Sequence, residues 1–384
     1  MVNLLEARST TLMIPGIAGI GKTAMAAKII ESFMHRRNLL YHRCQDWDGS
    51  RALFENIADW LSNIGDPMLS EYISATPVPK PGEVLISVKG AGINNTDINT
   101  RIGWYSKSVT SDTNQGGADG LEDAKKDDSS WSGNPLNFPL IQGADVYGEI
   151  ATVGSDVSPS RIGESVLVRT MQENPDTSEN SCWTLGSECN GGFAQYTAVR
   201  SSEAFFINSD WSATELASIP CAYSTAEGLL HRSQVEKETV LITGASGGVG
   251  SAAIQLAKLR DATVIAQCAR EKSEEVLQIG ADKIVFRDSD LVAEIGSDAV
   301  DVVIDLVGGS SWTQLLDIIK PGGRYATSGA IAGPIVELDL RTLYLKDLTL
   351  YGCTFQPKEV FRNLIKYIED NKIKPLVAKS YPLK

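Results

Sequence analysis

Short apolar runs alternate with helical stretches in the carboxyl-terminal part of the chain. Several runs are mostly apolar, such as residues 301–307 with five apolar residues of seven, which is typical of strands buried on both faces. Strands that alternate with helices pair in parallel. The pattern therefore predicts an α/β fold with a doubly wound parallel sheet. Its strands are expected near residues 239–243, 263–267, 283–286, 301–307, 324–328 and 348–352.

Upstream of residue 210 the pattern changes to strands separated by turns. Glu83–Lys89 and Arg161–Val168 are strand-like and predict an antiparallel or barrel-like domain. A proline-rich segment at residues 74–82 marks its beginning. Between the two strands, the polar segment Ser106–Asn137 is long for a loop. It is expected either to lie at the cleft mouth and influence substrate choice, or to be disordered.

A glycine-rich turn opens the α/β region. Strand residues Thr239–Ile242 lead into this turn, and the helix after it carries Ala253, Leu256 and Ala257 on one apolar face. Glycines let the backbone approach a pyrophosphate, and the helix N-terminus offers its N–H groups. This strand, turn and helix predict a Rossmann dinucleotide-binding unit. The expected phosphate contacts are Ser246, Gly247, Gly248, Val249 and Gly250.

Composition narrows the class of protein. The chain has 384 residues, enough for two or three domains. A formal net charge of −13 argues against a nucleic-acid surface. No apolar run reaches the roughly 18 residues of a membrane span, and no leader segment is recognised. The expectation is a cytoplasmic protein that acts on a small molecule.

Residues from about 77 to 384 resemble the medium-chain dehydrogenase/reductase superfamily, in its zinc-independent, quinone-oxidoreductase-like branch. The resemblance implies a chaperonin-10-like (GroES-like) catalytic domain at 77–209, completed by about 373–384. It implies a Rossmann domain at 210–372, hydride transfer from a nicotinamide cofactor across the cleft, and a possible homodimer. The resembling segments include Pro79–Leu85, Gly92–Asp97, Gly143–Gly148, Gly191–Tyr196 and Ala245–Gly250.

The resemblance also bears on catalytic zinc. Zinc-dependent relatives take their ligands at the positions of Asn94, Ala144 and Cys221, and only Cys221 is a ligand type here. A catalytic zinc needs three protein ligands from His, Cys or carboxylate. Of the structural-zinc cysteines, Cys182 and Cys189 are a remnant at most. We therefore expect no metal.

Without a metal, hydrogen-bond donors must polarise the acceptor oxygen. Asn94 is the first candidate, and Asp97 follows it at the spacing usual for the branch; both side chains suit helix capping equally well. Tyr147 and Tyr105 are further possible donors, although packing roles fit them better. The family match places Thr225 against the nicotinamide, and its alternative is a residue at a helix start.

The second strand of the α/β region suggests the cofactor. It runs from Thr263 to Cys268 and lacks the terminal carboxylate that binds the ribose of NAD. Arg270 and Lys272 follow and are suited to a 2′-phosphate, so the prediction is NADPH. Glu271 opposes this, and the alternative is a solvated helix start. Further cofactor contacts are expected at Val307, Gly329 and Ala330.

A second phosphate loop lies in residues 1–72. Its Walker A pattern runs from Gly16 through Gly21 to Lys22 and Thr23. The sequence of this loop is similar to that of NACHT and NB-ARC nucleotide-binding modules. The chain reaches the proline-rich segment before a Walker B acid appears, so we interpret the P-loop as the vestige of a fragment.

The leading hypothesis is a zinc-independent NADP(H)-dependent oxidoreductase that acts on a quinone, enone or aldehyde. Two alternatives are a P-loop nucleotide-sensing regulator with a non-catalytic reductase domain, and an inactive truncated fusion. A Walker B acid would favour the regulator, and missing barrel strands would favour the inactive fusion.

Overall fold

The computed structural model describes residues 76–113, 120–174 and 183–382. The P-loop residues Gly16, Gly21, Lys22 and Thr23 lie outside these ranges, so their predicted role stays a prediction. The same holds for Cys182. Within the described chain, Val78–Ser380 form a single unit that contains two main sheets.

The first sheet has five antiparallel strands in the order β6-β1-β2-β3-β7. Val84 and Ile86 of the first strand are fully buried, and Leu85 between them is buried as well. The predicted antiparallel domain is therefore present. A separate short hairpin pairs β4 with β5. The strands are β1 (Glu83–Gly90), β2 (Tyr147–Val153), β3 (Ser165–Val168), β4 (Met171–Gln172), β5 (Trp183–Thr184), β6 (Tyr196–Arg200) and β7 (Ala204–Phe206).

One predicted strand was wrong in its extent. The prediction covered Arg161–Val168, but only Ser165–Val168 are extended, and Pro159–Arg161 form a 3₁₀ turn. Gly163 has φ of +88°, a left-handed conformation that breaks a strand. The apolar residues of the predicted run are therefore split between a turn and a strand.

The second sheet is parallel, with six strands in the order β10-β9-β8-β11-β12-β13. Each predicted strand of the α/β region is present, within a few residues at either end. The order reverses between β8 and β11, where open α/β sheets bind ligands beyond their carboxyl ends. The strands are β8 (Thr239–Ile242), β9 (Thr263–Cys268), β10 (Lys283–Phe286), β11 (Val300–Asp305), β12 (Ile319–Thr327) and β13 (Thr349–Gly352).

Helices cover the parallel sheet and close the antiparallel one. The predicted apolar face of the helix after the glycine turn is confirmed, since Ala253, Leu256 and Ala257 are fully buried. The helices are α1 (Asn95–Ile102), α2 (Ala213–Ala217), α3 (Pro220–Arg232), α4 (Gly248–Lys258), α5 (Ser273–Ile279), α6 (Leu291–Ile295), α7 (Trp312–Ile318), α8 (Leu340–Leu345) and α9 (Lys358–Glu369).

A buried ion pair joins the antiparallel region to the end of the parallel one. Arg169 and Glu203 are fully buried, and the guanidinium donates to both carboxylate oxygens, at 2.7 and 3.1 Å. Its remaining arm donates to the backbone carbonyl of Gln356 at 2.7 Å. Removing one partner of such a pair leaves a buried charge, at a cost of about 3–5 kcal/mol.

The segment after α9 has no regular secondary structure as far as residue 380. The carbonyl oxygen of Lys374 accepts hydrogen bonds from Tyr223 and Gln255, at 2.6 and 3.1 Å. Completion of the antiparallel domain by residues 373–384 stays a prediction. None of the helices in the described ranges has the length and apolar character to cross a membrane.

Candidate active site

The glycine-rich turn lies at the carboxyl end of β8. Gly247 caps α4, which begins at Gly248, and both glycines are exposed together with Ser246. Gly244 has φ of +59°, and a side chain on Gly250 would collide with the carbonyl oxygen of Gly244. Helix and turn therefore pack closely while the backbone at the helix N-terminus stays accessible, as a pyrophosphate requires.

Two further loops meet the turn at the same edge, since parallel strands end on one side of the sheet. They follow β11 and β12, and the N–H of Ala332 donates to the carbonyl oxygen of Val307 at 2.9 Å. A methyl group on Gly329 would lie 2.9 Å from the carbonyl oxygen of Leu306. The structure thus brings Val307, Gly329 and the neighbouring Ala330 together with the glycine turn.

The cations after β9 are exposed and paired. Arg270 lies 3.3 Å from Asp288 and stacks over the ring of Phe286, with 4.1 Å from its guanidinium carbon to the ring centroid. Lys272 lies 3.0 Å from Glu275. Such exposed pairs contribute about 0–1 kcal/mol, so a phosphate can displace the carboxylates.

A third cation joins this region, and the sequence analysis missed it. Arg287 follows β10 and lies 3.9 Å from Glu271. β9 ends at Cys268 without a carboxylate, as the sequence indicates. Because β9 and β10 are adjacent parallel strands, residues just beyond each strand are neighbours, which is the signal that could have identified Arg287.

On the antiparallel side, Asp97 caps the first helix. Its carboxylate accepts hydrogen bonds from the backbone N–H groups of Asn94, at 2.8 Å, and Ala144, at 3.0 Å. Burial raises the pKa of Asp97, while N–H groups of Asn94, Ala144 and Gly143 act in the opposite direction. These contacts fit the capping alternative for Asp97.

Asn94 has a different partner, Asp145, which the sequence analysis missed. The side-chain amide of Asn94 donates to Asp145 Oδ2 at 2.7 Å, and the Cys221 N–H donates to Oδ1 at 2.5 Å. Asp145 is 1% exposed, and this burial raises its pKa to about 7, assisted by the charge of Asp97. The sequence signal that could have identified Asp145 is an acidic residue directly after Ala144, in a segment with a glycine at each end.

These residues lie beside the glycine-rich turn. Cys221 is in the first turn of α3, and its neighbour Ala222 lies close to the start of α4. A methyl group on Gly248 would be 3.5 Å from the Cβ of Ala222. Contacts therefore run from Asn94 through Asp145 and α3 to the proposed pyrophosphate cradle.

The donor set does not fit a catalytic zinc. Burial and the nearby carboxyl groups raise the pKa of Cys221 well above its ordinary value, whereas zinc binds the thiolate. Asn94 and Ala144 occupy the two other expected positions. Across the described ranges, no group of three or more His, Cys, Asp or Glu side chains is arranged to hold a metal ion.

The remaining candidates occupy varied positions. Tyr105 donates or accepts a hydrogen bond with Thr96 at 2.8 Å, and burial raises the pKa of its phenol. Tyr147 begins β2 and packs partly buried against the main core. Thr225 lies in the second turn of α3, half-buried, so the helix-start alternative was wrong.

The long polar segment contacts both halves of the molecule wherever it is described. Trp131 stacks on Tyr105, with 5.6 Å between ring centroids and 14° between planes. Its backbone N–H donates to Ser187 at 3.1 Å. On the other side, the Thr113 N–H donates to the carbonyl oxygen of Ile331 at 3.2 Å. The described part therefore lies against both the antiparallel domain and the loop after β12.

Two family matches divide the chain as the two sheets do. The alcohol dehydrogenase GroES-like domain matches residues 80–209, and the zinc-binding dehydrogenase family matches residues 248–370. The second match contains none of the three ligand positions, Asn94, Ala144 and Cys221.

Individual relatives match most of the chain. A provisionally assigned alcohol dehydrogenase from Sinorhizobium meliloti 1021, of known structure, is 42% identical with a TM-score of 0.68, over 78% of this chain and 82% of that one. A quinone oxidoreductase from Lama guanicoe is 26% identical over 339 residues, 84% of this chain and 89% of the relative. An acryloyl-coenzyme A reductase from Metallosphaera sedula is 27% identical over 316 residues, 79% and 86% respectively.

Fold, site and relatives define an oxidoreductase of the kind that uses a nicotinamide cofactor. The chain belongs to the medium-chain dehydrogenase/reductase superfamily.

Proposed function

We propose that the chain is a zinc-independent, NADP(H)-dependent oxidoreductase that transfers hydride to a quinone, enone or aldehyde-type acceptor. The observation that carries the proposal is the bond from Asn94 to the buried Asp145 at a position where zinc-dependent relatives hold a ligand. An amide donor there can serve the acceptor oxygen, and the glycine-rich turn lies alongside to hold the cofactor.

The chain's own groups have distinct tasks in this proposal. The cofactor, when bound, supplies the hydride. Asn94 uses one amide hydrogen for Asp145 and can offer the second to the acceptor oxygen, where negative charge develops. Asp145 fixes the orientation of that amide and, with its pKa raised to about 7, can hold a proton at neutral pH.

The first experiment measures NADPH consumption by the purified chain across quinones, enones and aldehydes. We expect turnover with at least one class and a fall in kcat of about 10²- to 10³-fold in Asn94→Ala, the size typical of a lost oxyanion donor. Asn95→Ala, at the exposed neighbouring position, is the control and should match the wild type. Full activity in Asn94→Ala would contradict the role of the amide.

The preference for NADPH rests on Arg270 and Lys272. A charge-assisted contact contributes about 1.5–3 kcal/mol, so Arg270→Ala or Lys272→Ala should weaken NADPH binding about 10- to 100-fold and leave NADH binding unchanged. Asp288→Asn removes the carboxylate beside Arg270 and should tighten NADPH binding. Fluorescence titration measures each affinity. Equal wild-type affinity for NADH and NADPH would contradict the preference.

We further propose a homodimer in the cytoplasm. Large apolar side chains are exposed on and around α8, including Leu340, Tyr344 and Leu345. They adjoin β13, the edge strand of the parallel sheet, whose outer backbone groups can pair with a second copy. Sedimentation of the wild type and of Leu345→Glu tests this: a monomeric wild type would exclude the dimer.

A further inference from the structure

Asp305 is the last residue of β11 and is fully buried. Hydroxyl groups donate to its carboxylate from Thr243 and Tyr325, each at 2.6 Å. Backbone N–H groups donate from Val307, at 3.0 Å, and Gly308, at 3.2 Å. A buried carboxylate is costly unless its oxygens are hydrogen-bonded, and here both oxygens are satisfied by neutral donors.

The donors come from three neighbouring strand ends. Thr243 lies between β8 and Gly244, so it begins the glycine-rich turn. Val307 and Gly308 form the loop after β11, and Tyr325 belongs to β12. Because the strand order reverses between β8 and β11, Asp305 spans the point where this class of sheet binds ligands.

The Asp305 carboxylate is also linked, through other residues, to the positions of neighbouring loops. Thr243 Oγ1, which donates to Asp305, also accepts the N–H of Leu306 at 2.9 Å. The Val307 carbonyl in turn holds the loop after β12 through Ala332. The two loops are closely packed, since a methyl group on Gly308 would lie 3.3 Å from the Cα of Ala330. A small displacement of residues 306–309 would therefore shift the neighbouring loop as well.

We propose that Asp305 is a positioning residue that fixes the loop of residues 306–309 as the wall for the nicotinamide half of the cofactor. The inference rests on the proposed function. Asp305 acts through the backbone of Val307 and Gly308, not by touching the cofactor. It therefore governs affinity for the nicotinamide half and leaves the adenosine half, held near Arg270, unaffected.

The test compares two ligands. Asp305→Asn keeps the side-chain volume but turns one acceptor oxygen into an NH₂ group that faces donors. NADPH binding should weaken about 10- to 100-fold, because part of the binding free energy is then used to order the loop of residues 306–309. Binding of 2′,5′-ADP, which lacks the nicotinamide half, should stay within about twofold, since its contacts are remote from the lost bond. The KM for NADPH should rise, and kcat should fall because the ring is misplaced.

The matched control is Asp301→Asn on the same strand. Asp301 lies at the opposite end of β11 and contacts Lys320, at 2.7 Å, and the Thr239 N–H, at 2.9 Å. Asp301→Asn should leave the affinities for NADPH and 2′,5′-ADP unchanged. If Asp305→Asn does not fold, Thr243→Val removes one hydroxyl from the same network and should show the same asymmetry at smaller size.

The outcomes separate the two proposals. If the wild type binds NADPH and Asp305→Asn weakens both ligands equally, or neither, the positioning role is wrong and the proposed function stands. If the wild type binds neither NADPH nor NADH, the proposed function is wrong and the inference fails with it.

Discussion

Two buried carboxyl groups, one in each half of the molecule, are held in contrasting ways. Asp305 ends a strand of the parallel sheet and accepts hydrogen bonds from Thr243, Tyr325, Val307 and Gly308. Asp145, beside the antiparallel sheet, accepts hydrogen bonds from Asn94 and Cys221 among the described residues, and burial raises its pKa to about 7.

The difference separates a carboxyl group held by four donors from one whose pKa burial raises to about 7, so that the second can exchange a proton near neutral pH. Each donated hydrogen bond favours the ionised form of a carboxyl group, whereas burial and a second carboxyl group disfavour it. Asp145 experiences burial and the charge of Asp97 with fewer donors to oppose them. In the function proposed above, Asp305 therefore serves the placement of a ligand, and Asp145 serves chemistry near neutral pH.

The largest expected effect is on stability. Asp305→Leu leaves four donors without an acceptor. It should lower the unfolding free energy by about 4 kcal/mol or more, at roughly 1–3 kcal/mol for each unsatisfied group. Asp145→Leu leaves two donors without an acceptor. It also removes the cost of burying a charge, so the unfolding free energy should fall by about 2 kcal/mol or less. Urea denaturation measures both, and an equal or reversed order would remove the contrast between the halves.

A second effect is the pH dependence of stability. An unfolded aspartate has a pKa of about 3.9, and Asp145 in the folded chain has a pKa of about 7. Between these values the folded state binds more protons, so the contribution of Asp145 to the unfolding free energy falls as pH rises from 4 to 7. The penalty is absent below the unfolded value and complete above the folded one.

Asp145→Asn is the matched variant for this effect. The unfolding free energy of wild type minus that of the variant should fall by about 3–4 kcal/mol between pH 4 and pH 8, given 1.36 kcal/mol for each unit of pKa shift. A flat difference for Asp145 would mean that its carboxyl is ionised throughout.

The smallest expected effect is that of chelators, which should leave activity unchanged. The wild type offers Asn94 and Ala144 where zinc would need ligands, and Cys221 alone cannot hold the ion. Metal analysis before and after chelation checks this, with Asn94→Cys combined with Ala144→His as a variant that restores both ligand types. Stoichiometric zinc in the wild type, with activity lost on chelation, would overturn the proposal.

The parallel sheet was predictable because its signal is local. Runs such as Asp301–Val307 are apolar enough to indicate a buried strand without knowledge of their partners. The antiparallel sheet was harder at β3, whose four extended residues directly follow a turn. There the conformation of Gly163 decided where β3 begins, and the sequence pattern does not report a glycine's φ.

The candidate site was predictable in part for a related reason. The turn up to Gly250 has its required strand and helix on either side, so its geometry followed from neighbouring residues. Asp145 depends on Asn94 and Cys221, which are 51 and 76 positions away along the chain. Asp305 was hidden within an apolar run. A charged residue inside such a run, with no cation nearby in sequence, is a signal that deserved more weight.

The buried pair of Arg169 and Glu203 has an evolutionary consequence. Loss of Glu203 alone leaves Arg169 buried without a counter-ion, whereas loss of Arg169 leaves Glu203 with Lys358 at 3.7 Å and Arg200 at 3.8 Å. Descendants of this chain should therefore not replace Glu203 alone. The third bond of Arg169 is to the backbone carbonyl of Gln356, which any residue at that position would supply. Recombination that exchanges the parallel domain between relatives would therefore preserve the hydrogen bond from Arg169 to the backbone carbonyl of residue 356, whatever side chain that residue carries.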